Sequence, residues 1–191
     1  MPPSETDSET LLTAFPPVSD ACARILILGS MPGVASLDAQ RYYAHPQNAF
    51  WPVISSILRD DPALLDAKPH FGASPVDSVY RQATQMVIDR NIAIWDVLKH
   101  CRRPGSLDSN IRQDSAVCND LETFLQAHPD VYKILFNGKA AQRLFERTAL
   151  PQLSMSDQLE LIPLPSTSPA MAGLSRAEKR THWAAALNIT I

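Results

Sequence analysis

The chain has 191 residues, 45% of them hydrophobic, enough to bury the core of one domain and too few for two comfortable ones. Seventeen Lys and Arg against twenty Asp and Glu give a net charge of −3, which excludes a histone-like coat of positive charge and confines any nucleic-acid contact to a local patch. Cys22, Cys101 and Cys118 form no CxxC pair and cannot supply four thiolates to a zinc or iron–sulfur site, so a reduced, cytoplasmic protein without metal or cofactor is expected.

In chain order, residues 1–20 mix Pro, Ser, Thr and acids with little periodicity, the composition of a frayed leader, and one domain is expected over 21–191. The acidic start lacks the basic-then-apolar order of a signal peptide, and no apolar run approaches the roughly 20 residues of a membrane helix, so no membrane partner is expected. ARILILGS at 23–30 is an uninterrupted aliphatic run ending in glycine, as in a strand buried on both faces. Three similar runs follow: IAIWDVL from Ile92, YKILFNG from Tyr132 and LELIPLP from Leu159.

Helical stripes lie between them. Val53, Ile54, Ile57 and Leu58 share one face, as do Val79, Tyr80, Ala83, Met86 and Val87 in the segment starting at Val76. Asn119 with Glu122, and Ser175 with Glu178, have the spacing of capping boxes. The alternation predicts a three-layer α/β/α fold around a mainly parallel four-stranded sheet. Ligands of such sheets gather outside the carboxyl ends of the strands, here GSMPG at 29–33, Trp95–Asp96, Phe136–Gly138 and LPSTSPAMAG at 164–173.

The residues at these ends carry a resemblance. GSMPG, then SLDAQRYYAHPQNAFW at 36–51, is similar to motif 1 of the uracil-DNA glycosylase superfamily, and LPSTSPA is similar to its second motif. With WDVL at 95–98, GSLDSNI at 105–111 and FNGKAA at 136–141, the chain more narrowly resembles the hypoxanthine-DNA glycosylase family. The similarity runs from Arg24 to Trp183. It implies DNA as partner and base flipping followed by water attack in base excision repair; a monomer is expected, though no motif bears on oligomeric state. A uracil- or mismatch-specific glycosylase, or an inactive protein that binds damaged DNA, stands as the alternative. The usual polar residues of the two motifs are replaced by Met31 and Leu164, which weighs against uracil excision and for the inactive reading.

In this family the resemblance assigns catalysis to Asn48, whose amide can orient a water without being a strong base; the same residue type also favours a helix N-terminus. Tyr43 holds the place of an aromatic that stacks on the flipped base, and core packing is its other reading. Ser30, Met31 and Asp96 complete the expected base pocket, the first two through their backbone. Asp96 and Asp108 are both candidates for a general base or an electrostatic role. His45, before Pro46, is expected to hold its turn by a hydrogen bond.

Ser166, Thr167 and Ser168 suit phosphate contacts, and Met171 is the candidate wedge entering the base stack. Lys99, His100, Arg102 and Arg103, with Arg176, Lys179 and Arg180, are the candidate phosphate-binding strip. No lysine lies within either motif, which implies simple hydrolysis rather than a Schiff base.

Overall fold

The computed structural model describes residues 10–67, 78–154 and 156–188. Its centre is a parallel sheet of β2 (Ile25–Gly29), β3 (Ile92–Asp96), β6 (Lys133–Asn137) and β7 (Glu160–Leu164), in the order β3-β2-β6-β7. All four are the apolar runs picked out in the sequence. Every residue of β2 and β3 is buried, as strands covered on both faces require.

One layer contains α2 (Phe50–Leu58), α3 (Ser78–Ile88) and α6 (Arg176–Ala186), linked by edge-on contacts of Phe50 with Trp183 and of Trp51 with Tyr80. The other contains α4 (Leu121–Ala127) and α5 (Lys139–Thr148), whose Phe124 and Phe145 pack on Trp95 and Phe136. The short α1 (Val34–Ala39) follows β2. This is the expected three-layer α/β/α arrangement. The start of the α3 stripe at Val76 lies outside the described residues, as do residues 1–9 of the expected leader.

Two local expectations are corrected. The Asn119–Glu122 pair does not cap α4; Asp120 does, its carboxylate accepting from Thr123 N–H. Asn119 is instead buried, with Nδ2 donating to the carbonyls of Asp96 at 2.8 Å and Leu98 at 3.1 Å. The chain leaves the main sheet there for β4 (Leu98–Cys101), and an amide supplies donors that a regular ladder would otherwise provide. The Ser175–Glu178 capping box of α6 forms as expected.

The leader is the second correction. Leu12–Thr13 is a strand, β1, paired antiparallel with β4, and β4 pairs in turn with β5 (Val117–Cys118) in a small second sheet. Val18 bridges Ile94 on the open edge of β3. Between them, the Phe15 carbonyl accepts from Trp95 Nε1 at 3.1 Å, and the Pro16 carbonyl accepts from the Tyr42 hydroxyl at 3.1 Å. Leu12, Ala14, Phe15 and Val18 also pack against the core, with Phe15 edge-on to Tyr42, but the strand is only two residues long, too short to show a period.

Deleting residues 1–18 therefore strips acceptors from two largely buried donors, a loss of about 1–3 kcal/mol for each group left unpaired. Urea denaturation should show a lower midpoint for the truncated chain. An unchanged midpoint would restore the idle-leader reading.

Candidate active site

Alternation along the strands sets the floor of the site. Leu28 is in register with Trp95 and Phe136, a row that faces α4 and α5. One residue further, Gly29, Asp96 and Asn137 turn to the opposite face, at the carboxyl end of the sheet. Gly29 pairs with Asp96, and a Cβ on Gly29 would lie 2.4 Å from Asp96 Oδ1 and 3.2 Å from the Tyr43 hydroxyl oxygen. Only glycine leaves room for that carboxyl.

The loop after β2 is held from beneath by Arg103, whose side chain is 1% exposed. Its guanidinium donates to the carbonyls of Met31, Pro32 and Gly105 and lies 3.7 Å from Asp108 Oδ1. The Ser30 hydroxyl donates to the same Asp108 oxygen at 2.6 Å. Next comes the aromatic turn. Tyr42 is core, donating through its hydroxyl and accepting from Trp51 Nε1 on its carbonyl. Tyr43 adopts φ 56°, a left-handed conformation that costs a non-glycine residue energy and commonly marks a functional position. Its ring stacks on Phe50 with centroids 3.8 Å apart and planes 22° from parallel.

The HPQN turn holds itself together. His45 Nδ1 accepts from Gln47 N–H, and its carbonyl accepts from Asn48 N–H. His45 thus stabilises the turn, as expected. Asn48 Oδ1 accepts from Phe50 N–H at 2.9 Å, at the first residue of α2.

Asn137 closes the site from β6, gripping Thr167 through both amide atoms: Nδ2 donates to Oγ1 at 2.9 Å, and Oδ1 accepts from Thr167 N–H at 2.8 Å. The Thr167 carbonyl accepts from Ala49 N–H, so the two motif loops are joined. Gly138, at φ 102°, passes close to Ser166, where an added Cβ would sit 2.8 Å from the serine Cβ.

These loops enclose a cavity of about 270 Å³ whose lining includes Ser30, Tyr43, Asn48, Asp96, Asp108 and Asn137. Two buried polar atoms in it lack a hydrogen bond of good geometry among the described residues: Asp96 Oδ2, and the Tyr43 hydroxyl, which has only a loose approach to the Asn137 side chain. Burial pushes the Asp96 carboxyl up to about 8, with Asp108 adding to the rise and Arg103 opposing it. Asp96 is therefore largely protonated at neutral pH. Burial likewise raises Asp108, partly offset by the Ser30 hydrogen bond, and lifts the Tyr43 phenol far above its ordinary value. Among the described residues, no three His, Cys, Asp or Glu side chains are grouped to hold a metal ion.

A model of the uracil DNA glycosylase superfamily matches residues 16–189. The chain belongs to this superfamily. It is 35% identical over 126 residues to the hypoxanthine DNA glycosylase of Methanosarcina barkeri, spanning 65% of this chain and 70% of that protein. The hypoxanthine DNA glycosylase of Methanosarcina acetivorans is 32% identical over 127 residues, 66% and 71% of the two chains. The solution NMR structure of a candidate uracil DNA glycosylase from Methanosarcina acetivorans superimposes with a TM-score of 0.70 at 30% identity, covering 93% of this chain and 97% of that one.

Within the superfamily site, Ser30, Met31, Tyr43, Asn48, Asp96, Ser166 and Ser168 all line one cavity, as does Asp108. Thr167 does not join them as a DNA contact. It is 1% exposed, its hydroxyl turned inward to Asn137. The basic strip is also corrected. Arg103 is inside, and Lys179 is buried with Nζ donating to the Met171 carbonyl at 2.8 Å. Arg176 holds the Leu65 and Ala67 carbonyls, and Arg180 reaches Ser56 and Asp60. Loops rich in Pro and Gly leave carbonyls without ladder partners, and these cations supply the donors. Asn137 lines the cavity without having been singled out in the sequence; its signal is a lone polar residue ending a buried strand just before a glycine.

Gly29→Ala places a methyl group 2.4 Å from Asp96 Oδ1, close enough to displace it, so base release should fall at least tenfold, with the fold recognisably intact by circular dichroism. Gly173→Ala, at a site with open space around the added Cβ, serves as the control. Equal activity of the two variants would show that Asp96 can relocate without consequence.

Proposed function

We propose that this protein is a monofunctional DNA glycosylase that hydrolyses the N-glycosidic bond of deoxyinosine and releases hypoxanthine. One observation carries the reading: Asp96, a lining residue of the superfamily cavity, has a buried carboxyl oxygen without a hydrogen-bond partner among the described residues, and burial pushes its carboxyl up to about 8. The pairing edge of hypoxanthine places an N–H donor, N1, beside an oxygen acceptor, O6. A protonated carboxyl offers the complementary pair, a carbonyl oxygen that accepts and an O–H that donates. An ionised Asp96 could only accept and would repel O6.

The remaining groups take roles around that base. Tyr43, backed by Phe50, stacks on the purine face, an interaction worth about 1–3 kcal/mol in comparable sites. Backbone groups of Ser30 and Met31 meet the base edge. Asn48 orients the attacking water: Phe50 N–H fixes its carboxamide, which keeps a second oxygen lone pair and two N–H donors. The water oxygen bonds to C1′ as the C1′–N9 bond breaks, the electron pair of that bond passes to the base, and the proton shed by the water ends, through solvent, on the departing base. Asp96 donates to O6 as negative charge gathers there. No lysine lines the cavity among the described residues, so the product is an abasic site without a covalent enzyme intermediate.

Ser166 and Ser168 face the flanking phosphates in this reading. Met171, 48% exposed on the same loop, fills the gap left in the stack. The enzyme acts as a cytoplasmic monomer without cofactor.

The test is base release from oligonucleotides carrying inosine, uracil or xanthine. Inosine duplex should give an abasic product that breaks only after alkali, and uracil should react more slowly. Asn48→Ala should slow single-turnover release by about 10²- to 10⁴-fold while duplex binding persists. Because alanine also removes the acceptor for Phe50 N–H, Asn48→Asp, which keeps it, separates folding from chemistry. A folded Asn48→Ala protein with the native rate, or a native protein that binds inosine DNA without releasing base, would overturn the assignment.

The pH dependence follows from Asp96. The neutral form is competent, so kcat/KM should decline as pH rises through about 8. Asp96→Asn keeps one donor and one acceptor but no titrating proton. It should retain activity and lose this alkaline limb. A limb that survives in Asp96→Asn would belong to another group.

A further inference from the structure

We propose that Leu107 is a second apolar contact with the base stack, so that the duplex is gripped by Leu107 on one loop and Met171 on another while the nucleotide between them is extruded. The inference rests on the glycosylase reading above and adds a residue to it.

A single exposed leucine is ordinary on a protein surface and by itself means nothing. Leu107 differs in where it is and how it is held. It is 52% exposed yet lines the mouth of the cavity, beside Ser106 and Asp108. The loop that carries it is fixed at several points. Arg103 Nε donates to the Gly105 carbonyl, Asn110 Nδ2 donates to the Pro104 carbonyl, and Ser106 Oγ accepts from Val34 N–H at 2.9 Å. Asp108 is tied to Ser30, and Gly105 makes the turn at φ 68°. Val34, joined to this loop by that hydrogen bond, is itself 43% exposed.

The Met171 loop is built on the same plan. A buried cation, Lys179, holds the Met171 carbonyl as Arg103 holds the carbonyls of the loop after β2 and of Gly105. A sequestered charge thus holds the backbone of the exposed apolar residue itself in the Met171 loop, and two residues before it in the Leu107 loop. The two loops are anchored to different strands, the Leu107 loop through Ser30 after β2 and the Met171 loop through Asn137 at the end of β6. A side chain that pushes on stacked bases needs a stiff support, because a yielding loop returns the force as its own displacement. An extruded nucleotide leaves apolar base faces exposed on both sides of the gap, and one methionine covers only part of them.

The test compares Leu107→Ala, Leu107→Met and Met171→Ala on inosine in duplex and in single-stranded oligonucleotides under single turnover, with 2-aminopurine next to the lesion reporting unstacking. Leu107→Ala should fall roughly tenfold on duplex and less than about twofold on single strands, where little stacking must be broken. It should also lose part of the 2-aminopurine signal, and Leu107→Met should recover both. Thermal stability should stay unchanged, since the side chain is mostly in solvent.

An equal effect on both substrates overturns the contact with the stack. So does a defect that depends on protein concentration, which would place a second copy of the chain on Leu107. The underlying reading fails separately: native protein that releases no base refutes glycosylase action, whereas native release with an unchanged duplex-to-single-strand ratio in Leu107→Ala refutes only this contact. Met171→Ala run in parallel shows whether the assay detects a wedge at all; a ratio shifted by Met171→Ala and not by Leu107→Ala counts against Leu107.

Discussion

The site depends on keeping the Asp96 carboxyl out of water at the end of a strand. An ionised carboxylate in such a place would cost several kcal/mol, and the structure answers by leaving it protonated. Gly29 beside it provides the space, Asn119 behind it holds its carbonyl, and Tyr43 closes over it with a poorly bonded hydroxyl of its own. The cost appears in folding. Between the ordinary carboxylate value and about 8, the native state holds a proton that the unfolded chain has lost, so this group lowers stability as pH rises through that window. A ligand that hydrogen-bonds to the free oxygens offsets the cost, which is why the unpaired atoms argue for a polar, planar guest.

Charge elsewhere is arranged to serve the same pocket. Arg103 and Lys179 look in the sequence like surface cations awaiting phosphate, and both are buried against carbonyl oxygens. A loop such as GSMPG cannot satisfy its own backbone by a ladder, and a guanidinium with five donors does so from one position. Of the first basic cluster, Lys99 and Arg102 remain exposed, while His100 is hydrogen-bonded to Thr13. The electrostatic footprint available to DNA is thus narrower than the sequence suggests, which gives the proposed phosphate contacts of Ser166 and Ser168 more to do.

The strands were legible because burial on both faces leaves uninterrupted aliphatic runs, and the helices because their stripes are regular. The site was legible because glycine, proline and polar residues collect where the strands end, and because the motifs resemble a known superfamily. What escaped reading has a common cause. Phe15 and Pro16 act through carbonyl oxygens, Asn137 through a grip on Thr167, and Asn119 through the backbone of another strand. Each is a polar contact between segments far apart in the chain, and composition and periodicity carry no trace of such pairs. Asp120 took the cap from Asn119 for the same reason: the asparagine was needed elsewhere.

Asn48 shows that the two readings of a residue can be one. Its oxygen accepts Phe50 N–H at the start of α2, which is the structural role that residue type favours, and it does so while lining the cavity. The hydrogen bond fixes which way the carboxamide faces and spares the freezing of a loose side chain when water binds. A carboxylate in the motif-1 position would need no such arrangement, since charge alone could hold the water. With Met31 in that position, the amide proposed to hold the water would act by geometry, and the hydrogen bond at the helix start would fix that geometry. Ala49 is the N-cap of α2, and Asn48 precedes it, accepting from Phe50 N–H across it. That local hydrogen bond is compatible with the proposed catalytic assignment, because it would orient the uncharged group on which that assignment rests.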